Sequence, residues 1–187
     1  MTDNEFGYTR WGMDWVRLAE PLTLTRPEPL LPRARSIARH GGVALQCDAT
    51  GVRASIHRGG QASVTHLEIA PMPGRTIAAV AEHIPADAVE LSDALYDTLA
   101  AAGLTVAPRL ASSDCSCSAR TPRCLHYLAT CYALARQVDE NPRLTLELQG
   151  FRRDRIDEPD PQAPPPRWIP LESIDPATYF AVRAAAR

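Results

Sequence analysis

The chain has 187 residues, a hydrophobic fraction of 45%, an aromatic fraction of 6% and a formal net charge of −2. This length accommodates one ordinary domain, or one domain with a small appended module and a tail. The near-neutral net charge favours no class of partner by itself, and the scarcity of aromatic residues argues against a large aromatic core.

The basic residues are all arginine, and charge is unevenly distributed along the chain. From Arg33 to Arg58, five arginines and one acid give a local charge of +4, whereas residues 76–108 contain five acids and no arginine. An arginine-only complement is consistent with bidentate phosphate or carboxylate recognition, and also with genome composition, since alanine and proline are abundant too. The chain therefore combines a basic segment with an acidic middle.

Helical spacing is evident near the N-terminus. Trp11 and Trp15 recur at a spacing typical of an amphipathic helix whose aromatic side chains face inward. Prolines keep residues 25–32 extended or looped, and residues 34–40 are predicted as one or two helical turns that end at a pair of glycines.

Three runs with strand character follow: VALQCDA, GVRASIHRGG and ASVTHLEIA. Their apolar alternation and the turn residues between them predict a small antiparallel meander, in which Cys47 is a core thiol. Residues 76–84 and 88–103 then show helical periodicity, with their acids on the opposite side, a pattern typical of a solvated face.

The segment CSCSARTPRCLH contains three of the five cysteines and one of the five histidines. Its pattern is C-x-C, six residues, then C-x-H, and zinc takes four such ligands at tetrahedral positions. Cys115 and Cys117 alternate along a strand or turn, which directs both sulfurs to one side. Cys124 begins the following helix and His126 lies in its first turn. We therefore predict a zinc clamp made by a hairpin-like arm and a helix start.

The alternatives to a structural zinc site are redox chemistry and zinc catalysis. A C-x-C pair can form a strained disulfide, but this leaves the nearby Cys124 and His126 without a role. A catalytic zinc keeps one coordination position open, and four protein ligands leave none. Cys131 lies about 140° around the helix axis from His126, so we predict that it packs in the core. Arg120 and Arg123 either offset the charge of the site or contact a phosphate.

Residues 124–140 are predicted as a strong helix, and residues 142–149 as a short helix, although their leucines also fit a strand. From Arg152 onward the chain is charged and proline-rich without periodicity, which predicts a linker or tail. Apolar residues beyond this linker either pack back on the domain or dock on a partner, and the candidates for partner docking are Trp168, Tyr179 and Phe180.

The spacing of the cysteines and histidine resembles the SWIM zinc finger. The likeness to a bacterial SWIM-protein family extends to CLHYLATCYALARQVDENPRLTLELQGF, FGYTRWGMDWV and RARSIARHGGV, and so covers most of residues 6–151. It implies one structural Zn²⁺ and a role in nucleic-acid or protein interaction, as companion of a Swi/Snf-type helicase-like ATPase. Many members carry Pro-Asp and Lys where this chain has Ser118-Ala119 and Leu125. The missing lysine weakens the case for phosphate contact by the finger itself.

The predicted fold class is α+β. A small antiparallel meander with flanking helices is joined to a zinc-clamped ββα SWIM finger and a Pro-rich C-terminal tail. The predicted regions are residues 1–110, residues 111–151 for the finger and the helices that follow it, and residues 152–187 for the linker and tail.

The predicted function is that of a non-enzymatic accessory protein that binds nucleic acid, DNA or RNA. No phosphate loop, nucleophile elbow or paired-carboxylate motif is present in the sequence. The alternatives are a pure docking adaptor for the ATPase, and arginines that pair with the acidic middle helices within the fold. The absence of an apolar leader or membrane-length run favours a cytoplasmic protein with reduced thiols. The candidate phosphate-binding residues are Arg33, Arg35, Arg39, Arg53 and Arg58.

Overall fold

Six helices and four strands form within residues 5–26, 28–58, 60–84, 90–119 and 121–152, which the computed structural model describes. The helices are α1 (Arg10–Ala19), α2 (Leu31–Arg39), α3 (Gly74–His83), α4 (Asp93–Ala101), α5 (Leu125–Glu140) and α6 (Arg143–Glu147). The strands are β1 (Val43–Asp48), β2 (Gly51–Arg58), β3 (Gln61–Ile69) and β4 (Leu110–Cys115).

The four strands make one antiparallel sheet in the order β1-β2-β3-β4. The predicted α+β class and the antiparallel meander are therefore confirmed. The sheet has a fourth strand, β4, in a segment for which the sequence left both a strand and a turn open, because it carries serines and an aspartate instead of strand-forming residues. Because β4 pairs with β3, the sheet extends past residue 110. The predicted division of the chain into two regions at that residue stays a prediction.

One face of the sheet is covered by helices. Val52 and Leu67, which pair across β2 and β3, are each 2% exposed and belong to the same buried cluster as α5. The prediction that Cys47 is a core thiol is wrong, since its side chain is exposed. The physical reason is its place on β1, an edge strand that has a neighbour on one side only.

The predicted N-terminal aromatic helix is confirmed as α1, which packs against α5. Trp11 and Trp15 are both fully buried, and each indole N–H has an acceptor. Trp11 Nε1 donates to the carbonyl oxygen of Ser92 at 3.1 Å, and Trp15 Nε1 donates to Thr145 Oγ1 at 2.6 Å. These bonds remove the cost of burying the two polar atoms, and they tie α1 to the start of α4 and to α6.

Asp139, near the end of α5, holds the segment that precedes α1. Its carboxylate accepts hydrogen bonds from the Gly7 N–H at 2.6 Å, the Thr9 N–H at 2.9 Å and Thr9 Oγ1 at 2.7 Å. Thr9 in turn caps α1 by accepting a hydrogen bond from the Gly12 N–H. A Cβ at Gly12 would lie 2.1 Å from Asp139 Oδ1, so the close approach requires glycine.

None of the helices in the described part of the chain combines the length and the apolarity needed to cross a bilayer.

Replacing Asp139 with alanine is expected to lower the free energy of unfolding by about 2–4 kcal/mol, because buried donors would lose a charged acceptor. Urea denaturation followed by circular dichroism measures this. The matched control is Glu140→Ala, whose side chain is 63% exposed in an ion pair with Arg136. The control should change stability by less than about 0.5 kcal/mol. Equal effects of the two substitutions would contradict the assigned role of Asp139.

Candidate metal centre

The first two cysteines of the cluster are positioned by the pairing of β4 with β3. Cys115 ends β4 and lies opposite Thr65 of β3. The pairing continues at Ser116, whose N–H donates to the carbonyl oxygen of Val64 and whose Oγ accepts from the Val64 N–H, both at 2.9 Å. Because Cys115 and Cys117 flank this fixed residue, the sheet sets the position of the arm that carries both sulfurs.

The other two members are positioned by the start of α5. Cys124 is the N-cap residue of this helix, and its Sγ accepts a hydrogen bond from the Tyr127 N–H at 3.4 Å. His126 is the second residue of α5. A sulfur at a helix N-terminus faces unpaired N–H groups and the positive end of the helix dipole, which stabilise negative charge there.

Cys115, Cys117, Cys124 and His126 lie close together and could hold a metal ion. Their ligand atoms all lie within 4.8 Å of one another, and Cys115 Sγ is 3.8 Å from His126 Nδ1. Bonds of about 2.3 Å from a tetrahedral ion to sulfur separate two ligand sulfurs by about 3.8 Å. The observed spacing therefore fits a four-ligand site with only small adjustments.

The surroundings of Cys115 and Cys124 shift the pKa values of the two thiols in opposite directions. Burial raises the pKa of Cys115, but hydrogen bonds, chiefly from Thr65, outweigh it and hold that pKa below its usual value. Thr65 is fully buried, and its Oγ1 donates to Cys115 Sγ at 3.4 Å. Burial raises the pKa of Cys124 to about 12. A bound cation requires every cysteine ligand as thiolate, so metal binding would release protons.

Cys131 and Arg123 do not belong to the group of ligands. Cys131 is fully buried on α5, in agreement with its predicted place in the core. The guanidinium of Arg123 donates to the carbonyl oxygens of Leu18 at 3.1 Å and Ala19 at 2.5 Å, and it lies 5.8 Å from the ring centroid of Tyr127. Arg123 is thus directed at the last turn of α1, where a cation offsets the helix dipole. Arg120 lies outside the described residues.

Two of the five predicted phosphate-binding arginines are engaged within the fold. Arg35 forms an ion pair with Glu20 and lies 5.4 Å from the ring centroid of Tyr132, while Arg39 forms an ion pair with Glu5. The alternative that these arginines pair with the acidic middle helices is wrong for both, because their partners belong to the N-terminal segment.

The structure does not gather the predicted arginines on one surface. Arg33 is exposed on α2, in the helix layer. Arg53 is exposed on β2, and side chains alternate along a strand, so it faces away from the helix-covered side that holds Val52. The side chain of Arg58 lies outside what the structure describes, as do the predicted docking residues Trp168, Tyr179 and Phe180.

A similarity to a known protein covers most of this chain. The uncharacterized protein Rv2102 of Mycobacterium tuberculosis is 30% identical over 169 residues, which are 83% of this chain and 60% of that protein. The chain thus spans less than two thirds of the length of this relative. No protein-family model matches the chain. No solved structure matches it either.

We expect the purified chain to contain about one metal ion, because the four ligand atoms can complete one tetrahedral site. Cys124→Ser should lose the ion, whereas Cys131→Ser and Cys47→Ser should keep it. Mass spectrometry of the intact protein under native conditions, together with elemental analysis, measures the metal content. A Cys124→Ser variant that retained the wild-type metal content would contradict the assignment of the ligands.

Proposed function

We propose that the chain is a non-enzymatic zinc-binding accessory protein that binds nucleic acid and acts with a helicase-like ATPase. The observation that carries this proposal is the convergence of Cys115, Cys117, Cys124 and His126 within 4.8 Å. Three sulfurs and one imidazole are the soft and borderline ligands that zinc prefers in structural sites.

The zinc ion is structural in this proposal. Four protein ligands complete a tetrahedral shell, which leaves no coordination position for water or substrate. Two ligands follow the β3–β4 pairing and two belong to the start of α5, the order expected of a ββα SWIM finger. The ion would therefore join the sheet to the central helix.

Nucleic-acid binding draws support from the resemblance to SWIM proteins and from an arginine-only complement of cations. The side chains of Arg75, Arg109 and Arg152 are exposed, and their guanidinium groups have no hydrogen-bond or ion-pair partner within the described part of the chain. Exposed guanidinium groups suit phosphate oxygens, since two N–H groups of one side chain can bind two oxygens.

A docking adaptor for the ATPase is the second candidate. The observation that favours it is that Arg35 and Arg39 form ion pairs with Glu20 and Glu5. Fewer unpaired arginines are therefore left to bind phosphate than the sequence predicts. An adaptor requires no phosphate contact and would bring the ATPase to its site through protein contacts alone.

Removal of the metal should destabilise the fold, because an ion that binds only the native state stabilises it. At free zinc about 100 times the dissociation constant, this stabilisation is about 2.7 kcal/mol. Urea denaturation with excess zinc and with a chelator measures the difference. A chelated protein with unchanged stability, but with a lost catalytic activity, would contradict the structural role and support a zinc enzyme.

Nucleic-acid binding is expected at about 50 mM salt and should weaken steeply as salt rises, since counterions are released from the phosphates. Fluorescence anisotropy with labelled single-stranded and double-stranded DNA and RNA measures this. Copurification from native cells with and without nuclease separates the two candidates. If the complex with the ATPase survives nuclease treatment and the chain binds none of the four labelled nucleic acids, the docking adaptor is favoured.

A further inference from the structure

Three segments that are far apart in sequence meet beyond the end of β3. The Ala70 N–H donates to the carbonyl oxygen of Arg109 at 2.8 Å, and the Met72 N–H donates to that of Gln149 at 2.9 Å. Gln149 is 3% exposed, and its Nε2 donates to the carbonyl oxygen of Val106 at 2.7 Å. These bonds hold residues 70–76, 103–109 and 149–152 together.

A cavity of about 320 Å³ opens between these segments. Its lining includes the guanidinium-bearing residue Arg109 and two hydroxyl-bearing residues, Thr76 and Thr105. All three side chains carry hydrogen-bond donors that suit anionic oxygens. The cavity thus has the polar groups of an anion site on a backbone that is fixed by buried hydrogen bonds.

The three segments that meet at this cavity carry charge of one sign. The three segments contain three arginines and no acidic residue, which gives a local charge of +3. The three side chains are exposed, and no guanidinium group among them has an ion-pair or hydrogen-bond partner among the residues that the structure describes. We name Arg75, Arg109 and Arg152 the arginine triad.

The rim of the cavity adds a smaller positive contribution. Pro73 lines the cavity and is the N-cap residue of α3, a helix of ten residues. No acidic residue lies in the first turn of α3, so its positive end is not offset there by its own side chains. This end of the helix reinforces a field that the arginine triad already makes positive.

We propose that the arginine triad and the cavity beside it bind the phosphate backbone of nucleic acid. The inference rests on the proposed nucleic-acid function and assigns its contact surface. Arg109 contacts a phosphate at the cavity, and Arg75 and Arg152 contact its neighbours along the strand. The contacts read no base, so binding through this surface is independent of sequence.

The test compares two variants that each remove exposed, unpaired arginines. One is the triple variant Arg75→Ala, Arg109→Ala, Arg152→Ala, and the matched control is the double variant Arg33→Ala, Arg53→Ala. Labelled single-stranded and double-stranded oligonucleotides are titrated at several salt concentrations, and circular dichroism checks the fold. The triple variant should lose at least about tenfold in affinity, and its salt dependence should become shallower by about one unit of slope per contact removed.

The outcomes separate this inference from the proposed function. A wild-type chain that binds neither oligonucleotide at about 50 mM salt overturns the proposed function, and this inference with it. If the wild type binds, and if binding is unchanged in the triple variant but lost in the double variant, only the assignment of the contact surface to the arginine triad is overturned. If the triple variant does not fold, the single variant Arg109→Glu carries the same comparison.

A free phosphate ligand would use the same chemistry, so inorganic phosphate is a separate arm of the experiment. It is titrated by calorimetry into the wild type and the triple variant. Weak binding or none, together with the loss of oligonucleotide affinity, supports a nucleic-acid backbone as the source of phosphate. Tight binding of inorganic phosphate that requires the triad, with oligonucleotide affinity unchanged, assigns the site to a small ligand and overturns the inference.

Discussion

The structure depends on the burial of α5 between the sheet and the helices α1 and α2. Ten of its sixteen residues are buried, and each of these ten side chains must be apolar or have a polar partner. The polar exceptions obey this constraint: Thr130 donates to the carbonyl oxygen of His126, and Asp139 accepts three hydrogen bonds from the segment before α1. The two ends of this one helix thereby fix the cysteine–histidine cluster and the segment that precedes α1.

The position of the cluster follows from the same helix. Cys124 satisfies an orphan N–H at the start of α5, and the pairing of β4 with β3 brings Cys115 to the same place. Neither element alone brings four ligands together, since each supplies two. A metal ion here would bridge the sheet and the central helix, which explains how a small site could stabilise a much larger core.

Features that depend on residues close together in the sequence could be predicted, whereas features that depend on packing between distant segments could not. The spacing of the cysteines and His126 is a local pattern, and the structure brings these residues together. The spacing of Trp11 and Trp15 is also local, and the structure buries both side chains. The strand β4 is unlike a strand in sequence, and its pairing with β3 decides its conformation. Asp139 looks like a surface acid on a helix, and only the fold shows the donors that surround it.

The charged surfaces, too, could be predicted only where they depend on residues that are close together in the sequence. The +4 segment is evident in sequence, yet Arg35 and Arg39 in it are paired, and Arg53 lies on the sheet face that also exposes the acids Asp48 and Asp114. A phosphate backbone is repelled by such a face. The arginine triad draws one cation from each of three distant segments, so no window of the sequence could reveal it.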